Sequence, residues 1–186
     1  MNQRTAQSGD IFLLLVPPAQ ELHQLRQWQH EFSERYGGQP VEFIHITCQR
    51  FSQDADRLEI PCIEHITNDL QNTRSFKIST DRLIQFYAPY WQKYVLRWRV
   101  QETELFSQFR DRLNTILNKT NCQSHFDRQR HATCTFLNLG EKIDLEFNPP
   151  KISLPTILFT AKFLWVSKLQ DNDNFEIVEK ITLQDQ

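Results

Sequence analysis

Glycine and proline are scarce in this chain, four and eight among 186 residues, so little of it can serve as flexible linker. The one linker-like spot, Asn148-Pro149-Pro150, is too short to separate independent domains, and a single domain over residues 1–186 is expected. Charge of one sign is also lacking, because 21 Lys and Arg against 23 Asp and Glu leave a net charge of −2. That excludes a surface coated in positive potential for gripping long duplexes, while leaving room for phosphates met locally. Long apolar runs are absent too. The most apolar stretch near the N-terminus, Ile11–Val16, is far too short to span a bilayer and is closed by Pro17-Pro18. No basic leader with a long apolar run precedes it, so a secretory signal is not expected and a cytoplasmic address follows by default. Cysteine is limited to Cys48, Cys62, Cys122 and Cys134, expected as reduced thiols rather than a disulfide framework.

The chain does have material for a core. Apolar residues make up 39% and charged residues 24%, an ordinary globular balance that argues against disorder, and fourteen Phe with four Trp and four Tyr supply aromatic bulk. Strand-like and helix-like segments alternate from end to end. Residues 10–16 read as a buried strand. Residues 20–36 read as a helix with Leu22, Leu25, Trp28 or Gln29, and Phe32 at helical spacing, stopped by Gly37-Gly38. A strand over 41–51 and a short helix over 61–72 follow, the helix opened by Pro61. Strands over 76–87 and 93–101 are joined around Ala88-Pro89-Tyr90. The clearest helix covers 103–118, with Leu105, Phe109, Leu113, Ile116 and Leu117 on one stripe. A strand over 130–137 comes next. Residues 156–169 and 175–183 read as a terminal hairpin around Asp171-Asn172-Asp173-Asn174. The class is α+β, with sheet-forming segments in both halves.

One tetrapeptide recurs. His45-Ile46-Thr47-Cys48 has a counterpart in His131-Ala132-Thr133-Cys134, each in a strand-like segment that follows a helix. Successive strand side chains point to opposite faces, so His45 and Thr47 share one face while Ile44, Ile46 and Cys48 share the other. The second copy repeats this, with His131 and Thr133 opposed to Ala132, Cys134 and Phe136. Two such strands side by side would set two imidazoles across a cleft, each with a hydroxyl beside it. Neutral and protonated imidazole coexist near pH 7, so one ring can accept a proton while the other donates. The hydroxyls can hold non-bridging phosphoryl oxygens, and no metal or other cofactor is required.

On these motifs the chain resembles the two-histidine phosphoesterases, which include the bacterial 2′-5′ RNA ligase-like enzymes and cyclic phosphodiesterases. The resemblance runs nearly end to end, from residues 11–17 through the segment 94–100 to a closing hairpin over 163–168 and 175–183 that includes Ser167. It implies a bilobal α+β fold, two antiparallel-rich sheets around a central groove with helices outside. It also implies opening of 2′,3′-cyclic phosphates, or cleavage and joining of 2′-5′ linkages at RNA ends, with His45, Thr47, His131 and Thr133 as catalytic residues. The working roles are His131 as base on the attacking water and His45 as acid to the departing ribose oxygen. RNA ends or small cyclic-phosphate nucleotides are the expected partners, and a monomer is expected. The chain departs from the family pattern at Cys48 and Cys134, which stand where a larger aliphatic is usual. It departs again at Arg130, where relatives often carry Pro, and at Asn138-Leu139-Gly140, which replaces a basic residue.

The other candidates carry less. Arg97 and Arg99 alternate with Tyr94, Leu96, Trp98 and Val100, so both point to one side, either toward the substrate phosphates or into solvent. Arg128 is a weaker candidate of the same kind, and Arg130 weaker still. In the aromatic cluster around Pro89, Phe86 is assigned to the core, while Tyr87 and Tyr90 could stack on a base. His125 is a further candidate to reach the site. A third copy, His65-Ile66-Thr67, falls in a helical segment, where residues two apart diverge, and is excluded. Two His-x-x-Cys pairs would suit tetrahedral zinc, but residues three apart in a strand face opposite ways, so Cys48 and Cys134 read as packing. The rival classes are a non-catalytic RNA-end or nucleotide-binding module and a metal-assisted hydrolase.

Overall fold

The computed structural model describes residues 5–52, 60–89, 91–120, 122–125, 131–145, 152–171 and 174–185. Tyr90, Arg128 and Arg130, three of the residues weighed above, lie outside them, as does Asn148-Pro149-Pro150. The elements run β1 (Ile11–Val16), α1 (Ala19–Tyr36), β2 (Gln39–Pro40), β3 (Ile46–Ser52), α2 (Ile60–Leu70), β4 (Phe76–Ala88), β5 (Lys93–Val100), α3 (Glu104–Lys119), β6 (Gln123–Ser124), β7 (Thr133–Leu139), β8 (Thr156–Ala161), β9 (Phe163–Leu169) and β10 (Phe175–Thr182). Among the described residues no helix is long and apolar enough to cross a membrane.

The strands form a curled antiparallel sheet in the order β10-β9-β1-β3-β7-β5-β4-β8, with β2 beside β7 and β6 beside β3. It divides into two four-stranded halves. Strands β3 and β7, which meet in the middle, pair at Ile46 with Cys134. The bilobal expectation is met in this form: two antiparallel lobes joined at a narrow waist.

The helices pack on one face of the sheet and build a continuous core. Leu13 and Leu15 of β1, Leu164 and Val166 of β9, Trp98 of β5 and Phe159 of β8 all join it, with Leu25 and Phe32 of α1 and Leu113 and Leu117 of α3. Helix α1 ends where Gly37 and Gly38 take positive φ, as the sequence predicts. Gly38 is required twice over: a Cβ there would stand 2.6 Å from the Asn138 carbonyl oxygen of β7, backbone against backbone.

Two sequence expectations are corrected. The stripe of α3 is Phe106, Phe109, Arg110, Leu113, Ile116 and Leu117, while Leu105 is 53% exposed. Arg110 faces inward because it pairs with the Glu102 carboxylate just before the helix. The Thr103 hydroxyl caps the helix by accepting from the Phe106 N–H at 3.3 Å. The second correction concerns residues 156–169, which are not one arm of a hairpin. The chain breaks at Lys162, sending β8 to one edge of the sheet beside β4 and β9 to the other half beside β1 and β10.

Candidate active site

The two His-x-Thr motifs sit at the waist. Ile44, Ile46 and Cys48 are buried in the core on the helix face, as are Ala132, Cys134 and Phe136. His45 and Thr47, and likewise His131 and Thr133, therefore lie on the opposite face, although each histidine slightly precedes its strand. The antiparallel pairing of Ile46 with Cys134 sets these two short runs alongside each other. His45 and Thr47 are partly buried, Thr133 is partly buried, and His131 is exposed.

The same face continues through both lobes. Strand β5 pairs Arg97 with Thr135 and Arg99 with Thr133, so both arginines stand on the histidine face, and Trp98 pairs with Cys134 beneath them. Their surroundings differ. Arg99 is held by the Asp81 carboxylate at 2.8 and 2.5 Å, and that guanidinium keeps the Asp81 carboxyl below the usual carboxylate range. The Arg97 guanidinium lies 4.9 Å from the centre of the Phe86 ring and acts electrostatically on His45.

Phe86 was assigned to the core and is corrected here: it is 38% exposed and shares the arginine face. Tyr87, one residue on, points to the other face and packs against Tyr94 with ring centres 5.1 Å apart. Strand alternation thus removes Tyr87 from the groove.

His45 is enclosed by rings that the sequence reading did not single out. Phe43 stacks on it at 4.8 Å, and Phe175 meets it edge-on at 5.6 Å. Phe43 stacks in turn on Trp165 at 5.5 Å, and the Lys180 ammonium lies 4.8 Å over Trp165. These residues come from the approach to β3 and from β9 and β10. Register accounts for the grouping: Leu14 of β1 pairs with both Thr47 and Trp165, and Trp165 pairs with Lys180. Ser167, two residues on, is fully buried, and its hydroxyl has no partner among the described residues.

The His45 Nδ1 lies 3.1 Å from the Phe43 carbonyl oxygen. A carbonyl only accepts, so Nδ1 carries the proton and the neutral ring presents an unprotonated Nε2. Burial pushes the imidazole down to about 4, opposed by the Phe43 carbonyl and reinforced by the Arg97 guanidinium. Cys48 and Cys134, on the far side of the sheet, are fully buried, and burial pushes both thiols up to about 12. The two His-x-x-Cys pairs are therefore split across the sheet. His65 is exposed on α2, outside both motif strands. His125 bonds to the Ser52 hydroxyl at 2.6 Å, with its backbone N–H donating to the Arg50 carbonyl, at the far end of β3 from His45.

No protein-family model matches the sequence, and no curated protein matches it. Solved structures do. A crystal structure described as a phosphoesterase superposes with a TM-score of 0.62 at 16% identity, covering 96% of this chain and 99% of that one. LigT of E. coli in complex with 3′-AMP gives 0.62 at 16% identity, over 95% of this chain and 99% of LigT. TT0787 of Thermus thermophilus gives 0.63 at 15% identity, with the same coverage. At such identities the likeness is one of fold. This chain has the fold of the LigT-like two-histidine phosphoesterases, across nearly its whole described length.

Proposed function

We propose that this chain is a metal-independent phosphodiesterase that opens 2′,3′-cyclic phosphates, or cleaves and joins 2′-5′ linkages, at the ends of RNA or on small nucleotides. One observation carries the reading: pairing at Ile46 and Cys134 brings two His-x-Thr runs together on one sheet face, with Arg97 beside them. Two imidazoles and two hydroxyls around a cationic guanidinium supply what phosphoryl transfer needs, namely a base, an acid and donors to the non-bridging oxygens.

In hydrolysis, water attacks phosphorus and the ring with a resting lone pair takes its proton. His45 fits that role, because the Phe43 carbonyl holds its proton on Nδ1 and burial keeps the ring neutral. This exchanges the roles expected from the sequence. The bond from phosphorus to the ribose oxygen breaks, and protonated His131 donates to that oxygen, leaving a monoester and a free hydroxyl. Thr47 and Thr133 donate to the non-bridging oxygens, with Arg97 against the same charge. The roles exchange again in the joining direction. The Phe43 and Trp165 rings, with the Lys180 ammonium over Trp165, give the His45 end of the groove an aromatic and cationic wall for a nucleotide to meet. A nucleotide of the kind held in the LigT crystals would fit these parts together.

The test is incubation with 2′,3′-cyclic mononucleotides in excess EDTA, wild type beside His45→Ala and His131→Ala. Each substitution is expected to lower turnover by about 10²–10⁴-fold. Turnover that survives in both variants would sink the mechanism. Binding of the nucleotide by wild type with no product after long incubation would make the chain a binding module instead.

A further inference from the structure

Away from the groove, on the helix face, two cysteines that the sequence leaves unrelated are brought together. Cys62 lies in the first turn of α2, and Cys122 follows α3, 60 positions on. Their sulfurs are 2.7 Å apart, which is about 0.65 Å longer than the ~2.05 Å of a disulfide bond. The Thr120 hydroxyl lies 3.4 Å from each sulfur. Both backbones are already held in place: Cys62 by its helix, and Cys122 by its N–H donating to the Leu117 carbonyl at 3.0 Å. Bond formation therefore asks for a small side-chain movement and no rearrangement of the chain. Cys48 and Cys134 are fully buried beneath the sheet and make no such pair.

We infer that Cys62 and Cys122 are a redox modification site, closing to an intramolecular disulfide when the protein meets hydrogen peroxide and reopening with a dithiol reductant. The order of events follows exposure. Cys122 is partly exposed and Cys62 is only 4% exposed, so Cys122 meets the oxidant first. Its sulfur attacks one peroxide oxygen, the O–O bond breaks, and water leaves with the thiol proton, giving a sulfenic acid. The Cys62 sulfur then attacks the Cys122 sulfur, the S–O bond breaks, and a second water leaves with the Cys62 proton. Two thiols have given up two electrons to one peroxide.

The bond ties α2 to the segment that leads to the second histidine. From Cys122 the chain enters β6, which pairs with Phe51 and Ser52 of β3, and reaches His131 nine positions later. The disulfide thus lies outside the groove but on the connection between its two motif strands. The inference does not depend on the activity proposed above, and its test reads no activity.

The full-length reduced protein is treated with stoichiometric hydrogen peroxide and digested without reduction. A peptide linking Cys62 to Cys122 is expected, and titratable thiols in the denatured protein should fall from four to two. The oxidised protein should melt higher, by on the order of 10 °C, with the gain reversed by dithiothreitol. Cys122→Ser should abolish both effects, while Cys134→Ala should leave the linkage intact. Because the linked peptide is read in wild type, a variant that fails to fold does not cloud the result. Linkage through Cys48 or Cys134, cross-linking between molecules, or oxidation of Cys122 alone to the sulfinic acid would each overturn the inference.

Discussion

His45 shows how one residue couples folding to chemistry. Its partly buried ring is flanked by Phe43 and Phe175, and desolvation there lowers the pKa to about 4, against 6.5 for an unperturbed histidine. Between those two values the unfolded chain takes up a proton that the folded chain refuses. Stability should therefore be full above about pH 6.5, fall by up to about 1.4 kcal/mol per pH unit toward pH 4, and level off below it. Urea denaturation of wild type and His45→Phe across this interval measures the effect. The variant should have the shallower slope, and a constant difference between the two curves would refute burial as the cause. The two arginines are ranked by a similar argument. Arg99 already has Asp81, whereas Arg97 stands against Phe86 and next to His45. Replacing Arg97 by Met should lower kcat/KM for a cyclic nucleotide by about 10–100-fold, the equivalent of one charge-assisted hydrogen bond. Arg99→Met should cost less in kcat/KM and more in thermal stability, so a larger kinetic loss at Arg99 would reverse the ranking.

At the scale of the element, alternation within a strand was legible and partnership between strands was not. The faces of His45, Thr47, His131 and Thr133 follow from Ile44, Ile46, Cys48, Ala132, Cys134 and Phe136, which sit in the core as their spacing predicts. Trp165 and Phe175 escaped notice because their proximity to His45 depends on the register of β1 against β3 and β9 and of β9 against β10, which no local pattern encodes, whereas Phe43, two residues before His45 on the same strand face, was legible from alternation and was passed over. A bulge matters here as well. Leu13 pairs with Gln49 and Leu14 with Thr47, so Cys48 is the extra residue and alternation shifts beyond it. Gln49 then turns inward to bond Asn114 of α3, and Arg50 takes the groove side with Phe12. Helix α3 was misjudged for a different reason. Hydrophobic Leu105 looked like stripe and charged Arg110 did not, yet the Glu102 ion pair makes Arg110 the better inward residue. Alanine at Phe106 should therefore cost about 3–5 kcal/mol of stability, and alanine at Leu105 no more than about 0.5 kcal/mol. Chemical denaturation of the two variants decides between the stripes.

At the scale of the whole molecule, the narrow waist between β3 and β7 does not imply two independent lobes, because α1 and α3 reach across it. Helix α1 follows β1 of one lobe but packs on β7 and β8 of the other, where Gln29 donates to the Phe136 carbonyl at 2.7 Å and Glu21 accepts from the Thr160 N–H at 2.7 Å. Helix α3 follows β5 of the second lobe and bridges the two, packing on β3 of the first and on β4 of its own, where Phe76 meets Phe106 and Phe109. The step at Lys162, which carries the chain from β8 to β9, is a third crossing, and no Gly or Pro announced it. Neither lobe can lose its helix without exposing the core of its neighbour, since residues of both belong to one apolar cluster. Unfolding should accordingly be a single cooperative transition. Trp165 in β9 and Trp98 in β5 report on the two lobes separately. In variants that keep one or the other as the main fluorophore, urea titrations should give coincident midpoints and equal slopes. Separate midpoints would mean that the lobes melt one at a time. The groove would then be held by the Ile46–Cys134 junction alone, and the two histidines would be set by that junction instead of by the bridging helices behind it.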